Sequence, residues 1–166
     1  MQMIDHLVIR PFADTDSAHL WALLEPVFRA GETYAIDPAI SREDALDWWC
    51  RGKHRAYVAT VQDKVRGSYY ICPNQQGGGA HVCNCGFVTG AEAQGQGIAR
   101  AMIAHALETA RAMGFRAMQF NCVVETNTRA VALWQRNGFE VVGRLPGAFR
   151  HPKQGYVDAL VMYRML

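Results

Sequence analysis

Apolar side chains recur along this chain with two rhythms, and the points where the rhythm changes divide it into elements. Residues 6–10 read as an opening strand, and Pro11 stops it. Leu20, Leu23, Leu24, Val27 and Phe28 then share one helical face behind Asp16, a residue suited to capping a helix start, and Gly31 supplies the end. Residues 31–38 read as a loop. Ser41 with Asp44 three positions on marks a second, short helix reaching Trp49.

Residues 56–61 and 65–71 read as a hairpin around Gln62-Asp63-Lys64, and Gly77-Gly78-Gly79 as a flexible turn before a strand over 81–89. Past Gly97 the period lengthens. Ala99, Met102, Ile103, Ala106, Leu107, Ala110 and Met113 mark one face of a helix that Gly114 ends. A strand over 118–124 and a helix over 127–135 follow, the latter closed by Asn137-Gly138. Residues 140–145 and 157–166 are the last two strands, joined by a loop rich in Gly, Pro and His. This order predicts an α/β fold, a mixed central sheet of about seven strands with helices on both faces. The helix between the fourth and fifth strands is a crossover, so those two run parallel.

At 166 residues, with half of them apolar, the chain suits one domain spanning 1–166. Its 17 basic and 15 acidic side chains leave a net charge of +2, no footprint for nucleic acid or an anionic membrane. The start, Met-Gln-Met-Ile-Asp-His, lacks the basic start and apolar run of a signal peptide, and no stretch approaches the ~18 apolar residues of a membrane span. Cys50, Cys72, Cys83, Cys85 and Cys122 are an odd set without Cys-x-x-Cys spacing, which fits reduced thiols in the cytoplasm and no metal. Cys83 and Cys85 fit a packed strand face.

The most informative stretch is Gln94-Gly95-Gln96-Gly97-Ile98-Ala99, between a strand and the helix it opens. Glycines let backbone approach a ligand, and the first helical turn offers unpaired N–H groups and a positive dipole end. Together they make a cradle for pyrophosphate, to which Arg100 adds a charge; the plain alternative is a tight strand-to-helix turn. The pattern is neither Gly-x-Gly-x-x-Gly nor a Walker loop, because no Lys-Ser/Thr pair follows.

These residues resemble the GCN5-related N-acetyltransferase (GNAT) superfamily, whose loop reads Gln or Arg, two residues, Gly, one residue, then Gly or Ala. Gln94, Gly97 and Ala99 satisfy it, and Asn127, Trp134, Gly138 and Phe139 follow a second pattern of that superfamily. The resemblance covers nearly the whole chain. It implies acetyl-CoA as co-substrate and splayed fourth and fifth strands. Pantetheine would pair with backbone at Phe87, Val88 and Thr89, pyrophosphate would rest on Gly95, Gly97, Ile98 and Ala99, and Asn127 would reach the pantetheine arm. It also allows a homodimer. Many members carry a tyrosine, the presumed acid for the departing thiolate, where this chain has Trp134, and an indole N–H has no useful acidity. A packed aromatic is the simpler role there. Gly31-Glu32-Thr33-Tyr34, Asn84 with Phe87, Asn121, Asn127 and Trp134 further resemble the fungal azetidine-2-carboxylate N-acetyltransferases, which acetylate proline analogues.

Acyl transfer to an amine needs a neutral nucleophile, an oriented thioester and stabilisation of the tetrahedral oxyanion. The resemblance puts a backbone N–H near Val88 at that oxygen. Asn84 and Asn121 are polar within apolar strand runs, so either their amides and the Cys122 carbonyl hold the acceptor, or both satisfy backbone across the strand gap. Glu32 and Tyr34 are loop residues at the acceptor end, where a water could relay a proton; His81, His151 and Glu125 are weaker bases, and Asp158 could orient the last loop. For Cys122, core packing outweighs a Cys-His nucleophile. The expected activity is direct acetyl transfer to the amine of a small molecule, an amino acid or proline analogue included. Its rivals are a peptide N-terminal acetyltransferase and a silent acyl-CoA-binding module.

Overall fold

The computed structural model describes residues 6–166; residues 1–5, read above for a leader, lie outside the described residues. Strands β1 (Leu7–Pro11), β2 (Arg55–Val61), β3 (Lys64–Pro73), β4 (Val82–Thr89), β5 (Ala117–Val124), β6 (Glu140–His151) and β7 (Gly155–Met165) form one sheet in the order β1-β2-β3-β4-β5-β7-β6. Helices α1 (Ser17–Ala30), α2 (Arg42–Cys50), α3 (Ile98–Ala112) and α4 (Thr128–Arg136) cover it.

The apolar stripe of α1 packs with Trp49 of α2 on one face, where Leu20, Leu24 and Phe28 meet Tyr70 and Val88. Met102, Ile103 and Ala106 of α3 bury against Tyr69, Met118 and Phe120 on the other. Adjacent tyrosines 69 and 70 therefore serve opposite layers, as the two-residue period of a strand requires. The fully buried Trp49 donates its indole N–H to Ser68 Oγ at 2.9 Å, and that hydroxyl donates to the Tyr57 carbonyl at 2.7 Å. This chain leaves neither polar group unpaired inside the core.

Three expectations change. Pro11 ends β1 from within, which is tolerated because β1 is an edge strand. Asp16 stands at the start of α1 but does not cap it. A short 3-10 turn precedes the helix, and the carboxylate instead accepts Arg10 Nη1 (2.7 Å), Arg10 Nη2 (2.9 Å) and the Ala13 N–H (2.9 Å). The loop expected between the last two strands is largely a β6–β7 ladder. Two extra residues between Leu145 and Phe149 bulge out of edge strand β6, and Pro146 and Gly147 (φ 58°) sit in that bulge. Asp158 holds it, accepting the Gly147 N–H at 2.9 Å and Arg144 at 3.0 Å. Ser41 does cap α2, accepting the Asp44 N–H at 3.0 Å.

Arg10 holds the buried Asp16 carboxyl below its ordinary value of 3.8. Asp16→Asn is expected to lower unfolding free energy by about 2 kcal/mol, since it breaks a bidentate charged contact. Chemical denaturation checks this. A carboxylate with a lowered folded-state pKa stabilises above its unfolded value, so the margin over the variant should shrink as pH falls below about 4.

The site depends on β4 and β5. They pair in parallel only at Val82↔Ala117 and Cys83↔Met118, with Arg116 N–H also reaching the His81 carbonyl at 2.8 Å, and then part. A β-bulge in β5 between Phe120 and Val123 lies on the diverging side. The wedge opens beside the start of α3.

Candidate active site

A cavity of about 830 Å³ fills the wedge and is lined by most of the residues singled out from the sequence. At one end is the loop before α3. Gly95 and Gly97 adopt φ of 78° and 81°, a left-handed conformation that favours glycine. The first helical hydrogen bond from this turn is Ala101 N–H to the Gly97 carbonyl, and no described residue accepts from the N–H groups of Gly95, Gly97, Ile98 or Ala99. All four residues line the cavity. Unpaired donors at a helix N-terminus fit the diphosphate of a coenzyme A thioester. A Cβ built on Gly95 meets no atom within 4 Å, so the cradle has room.

The charge beside this loop is not the one expected. Arg100 is exposed and does not line the cavity. Arg129, on the first turn of α4, does line it and donates from Nη1 to Gln94 Oε1 at 3.2 Å. Asn127 caps α4 with Oδ1, accepting the Ala130 N–H at 3.2 Å, and lines the cavity as well. Its amide nitrogen is the group left for a ligand.

Ladder parity decides which backbone groups of β4 face the gap. In an antiparallel pair every second residue exchanges its bonds with the partner. The Val82 carbonyl accepts the Asn74 N–H, and at the other end the Gly90 N–H donates to the Arg66 carbonyl. With an unshifted register between them, even-numbered residues turn to β3, and Cys85, Phe87 and Thr89 turn to the gap. Val88 is therefore misplaced by the expectation: its N–H faces β3, and its side chain is buried against α1 and α2. The Phe87 carbonyl accepts the Tyr34 hydroxyl at 2.8 Å, which leaves its N–H. Burial holds that phenol protonated, its pKa well above ordinary.

The two asparagines differ. Asn84 donates Nδ2 to the Gln119 carbonyl across the gap at 2.9 Å and accepts the Tyr70 hydroxyl at 3.2 Å. Its amide is a brace between the parting strands. Asn121 is exposed, not buried, bonded to Asn74 (2.7 Å) and Gln119 (2.9 Å). Cys122 is also exposed rather than core, because β4 has left β5 uncovered there. Partial burial still pushes its thiol pKa up, the wrong direction for a nucleophile. Trp134 lines the cavity with Phe87 at 5.3 Å and Phe120 at 4.5 Å between ring centroids, so it is both packing and wall.

The proposed bases do not gather. Glu32 pairs with Lys153 at 2.6 Å outside the cavity, which holds its carboxyl below the ordinary range and makes it a poorer base. His151 is buried at the β6–β7 turn, accepting the Lys153 N–H. Glu125 is bound by Arg144, and His81 is exposed away from the cavity. Sequence reasoning passed over Trp48, Lys53 and His54, which line the end near Tyr34 and Tyr70. They carry no motif: α2 supplies Trp48, and the turn from α2 into β2 brings Lys53 and His54 to the wedge.

A profile described as "Acetyltransferase (GNAT) family" matches residues 18–139. The chain belongs to the GNAT family. N-acetyltransferase aca1 of Schizosaccharomyces pombe is 30% identical over 148 residues, 79% of this chain and 71% of that one. A GCN5-related N-acetyltransferase from Kribbella flavida has a solved structure with TM-score 0.91 and 43% identity, covering 98% of this chain and 99% of its own. A phosphinothricin acetyltransferase from Sinorhizobium meliloti in complex with AcCoA shares the fold, at TM-score 0.83 and 19% identity over 99% of this chain and 89% of that one. This GNAT chain is thus an N-acetyltransferase acting with acetyl-CoA. Among its described residues no helix is long and apolar enough to cross a membrane.

Proposed function

We propose that this GNAT enzyme, working as one domain over residues 1–166, acetylates a small amine that carries a carboxylate, an amino acid or proline analogue. The observation that carries this reading is the continuity of the cavity. It runs from the N–H groups of Gly95 to Ala99, past the β4–β5 wedge, to an end lined by Tyr34, Trp48, Tyr70 and Lys53. Lys53 makes no ion pair among the described residues, so its ammonium is available for a carboxylate. The resemblance to azetidine-2-carboxylate acetyltransferases supports the same class.

In this reading the diphosphate takes the four loop N–H groups with Arg129 nearby, while Gln94 is held by Arg129. The pantetheine arm takes gap-facing backbone at Phe87 and Thr89 and the Asn127 amide, against Trp134. When bound, acetyl-CoA supplies the thioester that the amine attacks. Asn84 fixes the width of the wedge, and Asn121 with the Cys122 carbonyl flanks the acceptor.

Thiol release from acetyl-CoA tests it with matched acceptors: azetidine-2-carboxylate against azetidine, proline against pyrrolidine, and short peptides. The acids are expected to exceed their decarboxylated partners by roughly tenfold or more in kcat/KM, the worth of one charged contact. Lys53→Met should erase that margin. Preference for peptides would overturn the reading. Thermal stabilisation by coenzyme A without turnover would mark a silent module.

A further inference from the structure

We infer that His54 is the general base that takes the proton from the acceptor's ammonium group. This inference rests on the small-amine reading above.

The ring is held on three sides. It stacks on Tyr70 at 4.0 Å between centroids and 11° between planes, and stands edge-on to Trp48 at 5.1 Å and 88°. Its Nδ1 lies within hydrogen-bond distance of the Trp48 carbonyl. A carbonyl only accepts, so Nδ1 carries the hydrogen and Nε2 keeps its lone pair. No described residue bonds Nε2, and His54 lines the cavity. The Tyr70 hydroxyl that reaches Asn84 at the parting of β4 and β5 belongs to the ring stacked on His54, so base and wedge are one side chain apart.

The charged and titratable neighbours leave this nitrogen as the available base. Asp47 of α2 and Arg51, the residue that follows that helix, are paired with each other at 2.8 Å. Lys53, next in the turn, is a cation. From β3, burial pushes both the Tyr70 phenol and the Cys72 thiol up, so neither ionises near neutral pH. Burial, with help from Lys53, lowers the His54 pKa below its ordinary 6.5, so the ring is neutral at pH 7.

The step balances. Nε2 takes one proton from the ammonium, and the freed nitrogen lone pair forms the C–N bond to the acetyl carbon as the C–S bond breaks. The second amine proton goes to the departing thiolate, and His54 returns its proton to water. Net, an ammonium and a thioester give an amide, a thiol and one proton.

The test follows azetidine-2-carboxylate turnover across pH. Wild-type kcat/KM should fall on acidification with a limb below 6.5, as His54 is protonated. His54→Gln is expected to lower kcat roughly a hundredfold, the usual share of a positioned base, and to lose that limb. His54→Ala opens a ring-sized hole, so added imidazole should restore turnover in proportion to its neutral fraction. Coenzyme A protection against heat reports that each variant folds. A His54→Gln enzyme with wild-type kcat and limb, or a folded His54→Ala enzyme that imidazole does not rescue, overturns the role of His54 alone. A wild-type enzyme that acetylates no small amine removes the parent reading and this one together.

Discussion

Replacing Gly86 by alanine is expected to unseat Tyr70 and remove most of the enzyme's activity. A Cβ at Gly86 would lie 2.3 Å from Tyr70 Cε1 and 2.8 Å from Cζ, far inside contact distance. The ring cannot retreat cheaply. Trp48, Trp49 and His54 enclose it, and Tyr70 is only 5% exposed. Overpacking of this kind costs about 1–3 kcal/mol, which should appear as a melting temperature lower by roughly 3–10 °C. The functional loss should be larger. Tyr70 donates to Asn84, and Asn84 spans the wedge to Gln119, so moving the ring shifts groups on both strands. Displacement of about an ångström at a reacting centre costs roughly a hundredfold in kcat/KM. Calorimetry and steady-state kinetics on the variant read both effects, and wild-type values in either would show that Tyr70 tolerates the shift.

The second large effect is expected at Gly97. A valine there must adopt φ near 81°, a conformation costing a side-chain-bearing residue roughly 1–2 kcal/mol and a β-branched one more. The turn would relax by rotating its own N–H groups, those of Gly95 to Ala99 that line the cavity. Losing one or two hydrogen bonds to a charged group corresponds to a rise of roughly 10–100-fold in KM for acetyl-CoA. With the acceptor end untouched, kcat at saturating acetyl-CoA should change much less. Titration of acetyl-CoA at fixed acceptor separates the two, and a KM within twofold of wild type would mean the loop does not hold the diphosphate.

The sequence carried the fold further than the site. The helical faces of α1 and α3 are local patterns, legible because each helix buries one side, and the central strands are legible as short apolar runs bounded by turn residues. Both strands of the β6–β7 hairpin are legible, but the run of β6 on to His151 and the start of β7 at Gly155 are not. Pro146 and Gly147 signal a loop, yet an edge strand tolerates both in a bulge pinned by Asp158. The glycine loop was readable because conformation and spacing are both encoded there. Val88 was misassigned because composition does not reveal ladder parity, which is set by the register with β3. Arg100 and Arg129 look alike in sequence, and only the packing of α4 puts the second at the loop. His54 sits in a turn between a helix and a strand, with neighbours contributed by α2 and β3.

The short seam between β4 and β5 has a mechanical consequence. Two residue pairs join one plate of four strands to another of three, at one end only, like the pivot of a pair of tweezers. Beyond it the Asn84–Gln119 and Asn121–Asn74 bonds act as two rivets. Anything lying along the free edges adds the rungs that the ladder omits. Its binding and the stiffness of the whole sheet therefore rise together.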